Sequence, residues 1–270
     1  MNTCLGCPKL SYTKYLSTDL QDTTRPKIGA EPNACIYRGF KNGVTRDDLK
    51  HAIDAGTVQQ LLNPIPARKG HAFYLPSGTV HALGGGVLAA EVQTPSDTTF
   101  RVFDWNRIDP ATGQPRDLHI AQALECIHFG PADFPEEHTS HVASVWTAVT
   151  TLIRCPHFAM DRVRMVAGVE QAIPLDGFVI WMILEGRCSI NGAGMDKPAE
   201  FRHGQTVLIP AGLAEARVQT PEPCMWLEIT VPQPSSLADY EKPPREDPHA
   251  ARGFNQGLVR LNVPRSPDPT

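Results

Sequence analysis

A short pattern occurs twice in this chain, and it restricts the fold more than any other feature. Residues 68–78 read Arg-Lys-Gly-His-Ala-Phe-Tyr-Leu-Pro-Ser-Gly, and residues 202–212 read Arg-His-Gly-Gln-Thr-Val-Leu-Ile-Pro-Ala-Gly. In each copy a basic residue and a glycine turn lead into a brief apolar run that ends in Pro-small-Gly. An apolar run of that length between turn signals is a strand. Its recurrence far along the chain marks a duplicated unit. The repeat therefore predicts two related β-barrel units. The copies differ where chemistry would sit: His81 stands three residues after Gly78, and Glu215 three residues after Gly212.

The rest of the chain fits an all-β reading with a few helices. Thr45 and Asp48 have the N-cap and N3 spacing of a capping box, and Leu49, Ala52 and Ile53 then share a helical face until Gly56. Thr57 to Leu62 predicts a further turn. Ala72–Leu75, Val87–Gln93 and Phe100–Trp105 read as strands. In the last, Phe100, Val102 and Asp104 alternate with Arg101, Phe103 and Trp105. Leu118–Ile127 reads as a helix. Residues 131–143 read as a linker, and the strands of a second barrel fill 144–232. The run Phe178–Leu184 within Gly177–Ile190 is apolar throughout, as expected of a strand buried on both faces. Residues 1–28 show no clear period and are expected to be disordered. So is the tail 233–270, seven of whose residues are proline.

Composition excludes several classes of function. Net charge is −4 with no basic stripe, which argues against a nucleic-acid partner. The longest apolar run is too short to span a bilayer, and the first residues lack the apolar core of an export signal. A cytoplasmic location without membrane association follows as the expectation. The seven cysteines are odd in number and scattered, so free thiols are expected rather than a disulfide framework.

Three residues carry candidate chemistry. His81 follows a tight turn at the mouth of a strand, where an imidazole could bind a metal or serve as a hydrogen-bonded structural group. Arg101 shares its predicted strand face with aromatics. It either pairs with a carboxylate such as Glu91 or Asp97, or receives an anionic ligand whose oxygens match the guanidinium fork. Glu91 could be a base, a ligand or the partner of Arg101. Gly84-Gly85-Gly86 lacks the lysine and helix start of a phosphate loop, and is read as a bend with close backbone approach.

The block Pro76-Ser77-Gly78-Thr79-Val80-His81-Ala82-Leu83-Gly84-Gly85-Gly86, with Glu91-Val92-Gln93 and Ser96 through Arg107, closely resembles the type I mannose-6-phosphate isomerases, short bacterial branch. The resemblance continues through Tyr37-Arg38-Gly39-Phe40-Lys41-Asn42-Gly43-Val44-Thr45 and Leu118-His119-Ile120, and covers about residues 29 to 232. It implies two cupin, or jelly-roll-like, β-barrel units, with the first (29–130) incomplete. It implies a sugar-phosphate substrate, one Zn2+ per chain, and interconversion of mannose 6-phosphate and fructose 6-phosphate. By the same resemblance His81 is a zinc ligand, Arg101 the catalytic arginine and Glu91 a residue of the pocket wall. The family's upstream Gln-x-His-Pro and Gly-Lys-Thr-Glu segments, which supply its other zinc ligands, do not occur here. The expectation is therefore an isomerase lacking the family's N-terminal segment, with a non-catalytic sugar-phosphate-binding cupin as the alternative.

Overall fold

The computed structural model describes residues 12–16, 34–94, 100–130, 141–232 and 259–260. The chain divides into two compact units, Met1–Glu136 and Glu137–Thr270. Strands dominate both, with two α-helices among the described residues.

The first unit holds two three-stranded antiparallel sheets. In one, β1 (Tyr12–Leu16) lies between β4 (Ala72–Leu75) and β6 (Ala89–Gln93). In the other, β2 (Cys35–Phe40) lies between β3 (Leu62–Pro66) and β5 (His81–Leu83). The expectation of disorder over 1–28 is corrected at β1; the remainder of that segment lies outside the described residues. Tyr-Thr-Lys-Tyr-Leu is rich in strand-favouring residues but too short to show a period. Its backbone pairs with a neighbour on each side, so the signal is tertiary.

Helix α1 (Arg46–Asp54) starts on Thr45, whose hydroxyl accepts from the Asp48 N–H while the Asp48 carboxylate accepts from the Thr45 N–H. Leu49 and Ala52 of α1, and Ala123 and Leu124 of α2 (Ile120–Cys126), pack in one core with Tyr37, Phe40, Leu62 and Ala82. Ile36 packs in a separate cluster with Phe73, joined by Ile65, Leu83 and Ala89. Adjacent positions along β2 thus feed two different cores, because successive side chains of a strand point to opposite faces. One face of the β3-β2-β5 sheet is covered by the helices. The other looks across a small interior at β4 and β6.

No strand runs over Phe100–Trp105, which corrects the alternation expected there. Val102, Phe103 and Asp104 are all buried in succession, and Trp105 and Asn106 take positive φ of 53° and 52°. The reason is the Asp104 carboxylate. It is 5% exposed and receives the Nε–H of Arg116 at 2.7 Å with a second guanidinium bond beside it. A buried carboxylate has to be paired, and the chain turns to make the pairing, closing with Arg107 N–H on the Asp104 carbonyl at 3.1 Å.

The second unit is built on two antiparallel sheets. The larger contains β7 (His141–Ala143), β8 (Thr147–Arg154), β9 (Ala159–Met165), β11 (Val179–Glu185), β14 (Thr206–Ile209), β16 (Cys224–Thr230) and β17 (Val259–Arg260), ordered β14-β11-β16-β9-β8-β7-β17. The smaller has β10 (Val169–Ala172), β12 (Arg187–Asn191), β13 (Ala199–Arg202) and β15 (Arg217–Thr220), ordered β10-β15-β12-β13. Residues of both sheets share one core, including Val163, Trp181, Ile183, Cys188, Val218 and Trp226. β17 corrects the disordered tail at its two residues, which pair with β7.

The single strand expected over Gly177–Ile190 is two strands. They divide at Gly186, with φ +71°, where an added Cβ would collide with the Pro223 carbonyl oxygen. Burial on both faces is also not realised. Val179, Trp181 and Ile183 are buried, whereas Ile180 and Met182 are only partly covered. Cys35, Cys126, Cys155, Cys188 and Cys224 are free thiols. No helix among the described residues is long and apolar enough to cross a membrane.

Candidate functional site

The first copy of the repeat builds the site. β4 ends at Pro76-Ser77-Gly78, where Gly78 takes φ +79° and the Thr79 N–H bonds the Pro76 carbonyl at 3.1 Å. Val80 then anchors in the helix-side core, and His81 opens β5. The imidazole is 1% exposed, with Nδ1 3.0 Å from the Thr79 carbonyl. That contact identifies Nδ1 as the N–H donor and leaves Nε2, which is also buried, as the basic nitrogen.

Strand register shows what surrounds His81. Arg38 on β2 is its direct partner, and Ile36 is the partner of Leu83. Directly opposed residues put their side chains on the same face, so Arg38 and His81 project together into the interior that Ile36 and Leu83 line. Across that interior stands Phe73, over whose ring the Arg38 guanidinium carbon lies at 5.4 Å. Phe73 and Glu91 both pair with position 14 of β1, so they occupy one row of the facing sheet. Glu91 thus stands in the row of Phe73 and is exposed to solvent, whereas His81 is buried.

Arg101 sits apart, in the loop that precedes Asp104. Its backbone is clamped by His119: the Arg101 N–H donates to His119 Nδ1 at 3.3 Å, and the His119 N–H donates to the Arg101 carbonyl at 2.7 Å. One guanidinium N–H donates to the Asp117 carbonyl at 3.1 Å. Arg101 Nε is buried with no hydrogen-bond partner among the described residues, and no carboxylate there pairs with the group. Of the partners expected, Glu91 makes no bond to Arg101, and Asp97 lies outside the described residues. No hydrogen bond or ion pair joins Arg101 to His81.

Sequence reasoning missed Arg38 and Gln59. Gln59 donates to the Tyr37 hydroxyl in a short hydrogen bond and accepts the Trp105 indole N–H at 3.0 Å, tying β2 to the loop that carries Arg101. Burial, with the neighbouring Cys35, pushes the Tyr37 hydroxyl pKa up against the opposing effect of Gln59. The signal for Arg38 was present as an arginine in a strand of otherwise apolar residues, but only the register shows which face it occupies.

Zinc needs three or four ligands around one point. Among the described residues no three His, Cys, Asp or Glu side chains converge in that way. His81 is a suitable single ligand, and the residues described do not by themselves fit the ion.

The fold is that of the cupin-type phosphomannose isomerases. The crystal structure of mannose 6-phosphate isomerase from Bacillus subtilis superposes with a TM-score of 0.69 at 25% identity, over 82% of this chain and 65% of that one. A variant of phosphomannose isomerase from Salmonella typhimurium gives a TM-score of 0.54 at 14% identity, over 83% and 66%, a likeness of fold. By sequence, the chain is 34% identical to the mannose-6-phosphate isomerase ManA of Bacillus subtilis (strain 168), over 73% of this chain and 61% of ManA. It is 33% identical to mannose-6-phosphate isomerase of Streptococcus mutans, over 68% and 56%. No family model matches. The chain is a homologue of the mannose-6-phosphate isomerases, and it spans about three-fifths of the length of the curated relatives it matches.

Proposed function

We propose that the chain acts on the mannose 6-phosphate and fructose 6-phosphate pair as an aldose–ketose isomerase. The observation that carries this is Arg101: a guanidinium held by its backbone and by one carbonyl, with a buried Nε and no carboxylate partner among the described residues. Aldose–ketose exchange passes a proton between adjacent carbons through an ene-diol, whose oxygens gain negative charge. A fixed cation stabilises that charge without reorganising. In this reading Arg101 is the catalytic residue and Glu91 a carboxylate of the pocket wall. His81 contributes a buried imidazole whose tautomer is fixed by Thr79. For the zinc that the resemblance implies, the described residues supply one suitable ligand, His81, and no step is assigned to the ion.

The test is a coupled isomerase assay on this chain, with zinc supplied and with zinc chelated. Turnover that is chelator-sensitive and falls about 100-fold or more in Arg101→Gln is expected. A second reading, a module that binds the sugar phosphate without turning it over, is favoured by the lack of a three-ligand cluster among the described residues. It predicts binding with no turnover at any zinc concentration. A chain that neither binds nor isomerises rejects both.

A further inference from the structure

None of the expected roles falls on His119, yet it is the side chain that holds Arg101. Among the described residues, the hydrogen bonds of Arg101 all go to the segment 117–119. The Asp117 carbonyl accepts a guanidinium N–H at 3.1 Å, and the His119 N–H donates to the Arg101 carbonyl at 2.7 Å. Those two groups on the segment are backbone, which almost any residue would supply. The third is not: His119 Nδ1 accepts the Arg101 N–H at 3.3 Å. A ring nitrogen accepts only when it carries no proton, so the contact selects the neutral ring protonated on Nε2. His119 stands at the start of α2, its carbonyl accepting the Ala123 N–H at 2.9 Å. Ala123 and Leu124 anchor that helix in the core. The half-buried ring also lies 6.2 Å from the Phe100 ring, centroid to centroid. A line of support thus runs from the core through α2 to the Arg101 backbone.

We propose that His119 is a positioning residue for the isomerisation, whose neutral ring fixes the Arg101 backbone and so aims the guanidinium. The inference rests on the isomerase reading and deepens it. A fixed cation stabilises developing charge only where that charge appears. A shift of about 1 Å in a catalytic group can cost roughly a hundredfold in rate. His119 need not touch the substrate. Without the Nδ1 bond, the charge of Arg101 and its two backbone partners remain, but the start of its loop is released. The transition state feels that release more than the bound substrate does, so kcat falls while KM changes little.

The test compares His119→Asn, His119→Gln and His119→Phe in the isomerase assay with zinc supplied. Asparagine carries its amide oxygen near the place of Nδ1 and can accept the Arg101 N–H. Glutamine carries its oxygen near the place of Nε2, and phenylalanine has no acceptor. His119→Asn should keep most of the wild-type kcat. His119→Gln and His119→Phe should fall about tenfold, the size of one neutral hydrogen bond, with KM changed by less than about twofold. In an Arg101→Gln background, His119→Phe should cost nothing further, because the two residues act as one unit. The contrast between asparagine and glutamine, both polar, carries the test if the phenylalanine variant folds poorly. Nitrogen NMR of the wild-type ring should show Nδ1 without a proton and Nε2 with one. A proton on Nδ1 of the neutral ring, equal kcat in the asparagine and glutamine variants, or an additive loss in the Arg101→Gln background overturns the role of His119 and leaves the isomerase reading intact. No turnover by the wild-type chain overturns the isomerase reading and this inference with it.

Discussion

At Gly84 a side chain would place its Cβ 2.3 Å from the Cys35 carbonyl oxygen, the same oxygen that accepts the Gly84 N–H at 2.8 Å. That contact seats the end of β5 against the start of β2 and so holds the register that opposes His81 to Arg38. The next residue is different, since a Cβ on Gly85 meets nothing within 4 Å. The glycine run read in the sequence as a close approach is therefore one close approach at Gly84, one open position at Gly85 and a positive φ of 72° at Gly86. Gly84→Ala should cost about 1–3 kcal/mol, as overpacking against backbone does. Gly85→Ala should be neutral or stabilise by up to about 1 kcal/mol, by restricting the unfolded chain. Urea unfolding of the two variants checks this, and equal effects would mean that β2 and β5 do not meet as described.

At the scale of elements, the larger sheet of the second unit contains an acidic pair, Asp161 buried and Glu228 partly buried. Register sets Glu228 of β16 opposite Asp161 of β9 and also opposite Trp181 of β11. The Glu228 carboxylate accepts the Trp181 indole N–H at 2.9 Å, and Arg154 of β8 donates to both oxygens of Asp161 at 3.1 and 3.0 Å. Burial first, then the neighbouring Asp161, raises the pKa of Glu228 to about 7. Burial also raises Asp161, against the pull of Arg154. A carboxyl whose pKa is raised by folding binds its proton more tightly in the native state. Its contribution is complete below the ordinary value near 4.5 and is lost as pH climbs towards 7. Each tenfold gain in proton affinity is worth about 1.4 kcal/mol, so the loss is roughly 3 kcal/mol across that window. Glu228→Gln keeps the acceptor for Trp181 and removes the titration. The difference in unfolding free energy between the two proteins should therefore move in favour of the variant between pH 5 and 8. Parallel pH profiles would show that Glu228 does not titrate there. Elements such as these were only partly legible in the sequence. α1 was readable because its cap is a local device between Thr45 and Asp48, and β4 because turns bound it. β1, β10 and β13 were not, since strands of four or five residues take their definition from neighbours distant in the chain. Phe100–Trp105 misled for the same reason: the partner that bends it, Arg116, lies beyond the window in which alternation is read.

At the scale of the whole molecule, the duplicated pattern has one chemical copy and one bland copy. In the first, the residue three past the closing glycine is His81, buried at the start of a strand and opposed to an arginine. In the second it is Glu215, exposed and held at a φ of 54° in a turn. His81, Glu91, Arg38 and Arg101 all belong to the first unit, Met1–Glu136. The candidate site thus follows the copy whose strand end is buried, and the sequence already separated the copies by residue type. A ligand that binds only the native state stabilises the unit that holds it, by RT ln(1 + [L]/Kd). At mannose 6-phosphate concentrations near 100 Kd, amides of the first unit that exchange through its unfolding should slow by about 100-fold. Amides within residues 141–232 are expected to keep their rates, since the candidate residues all belong to the first unit. Hydrogen exchange followed by mass spectrometry resolves the two sets in one experiment. Protection centred on residues 206–216 instead would move the site to the second copy, and would remove Arg38, His81 and Arg101 from it together.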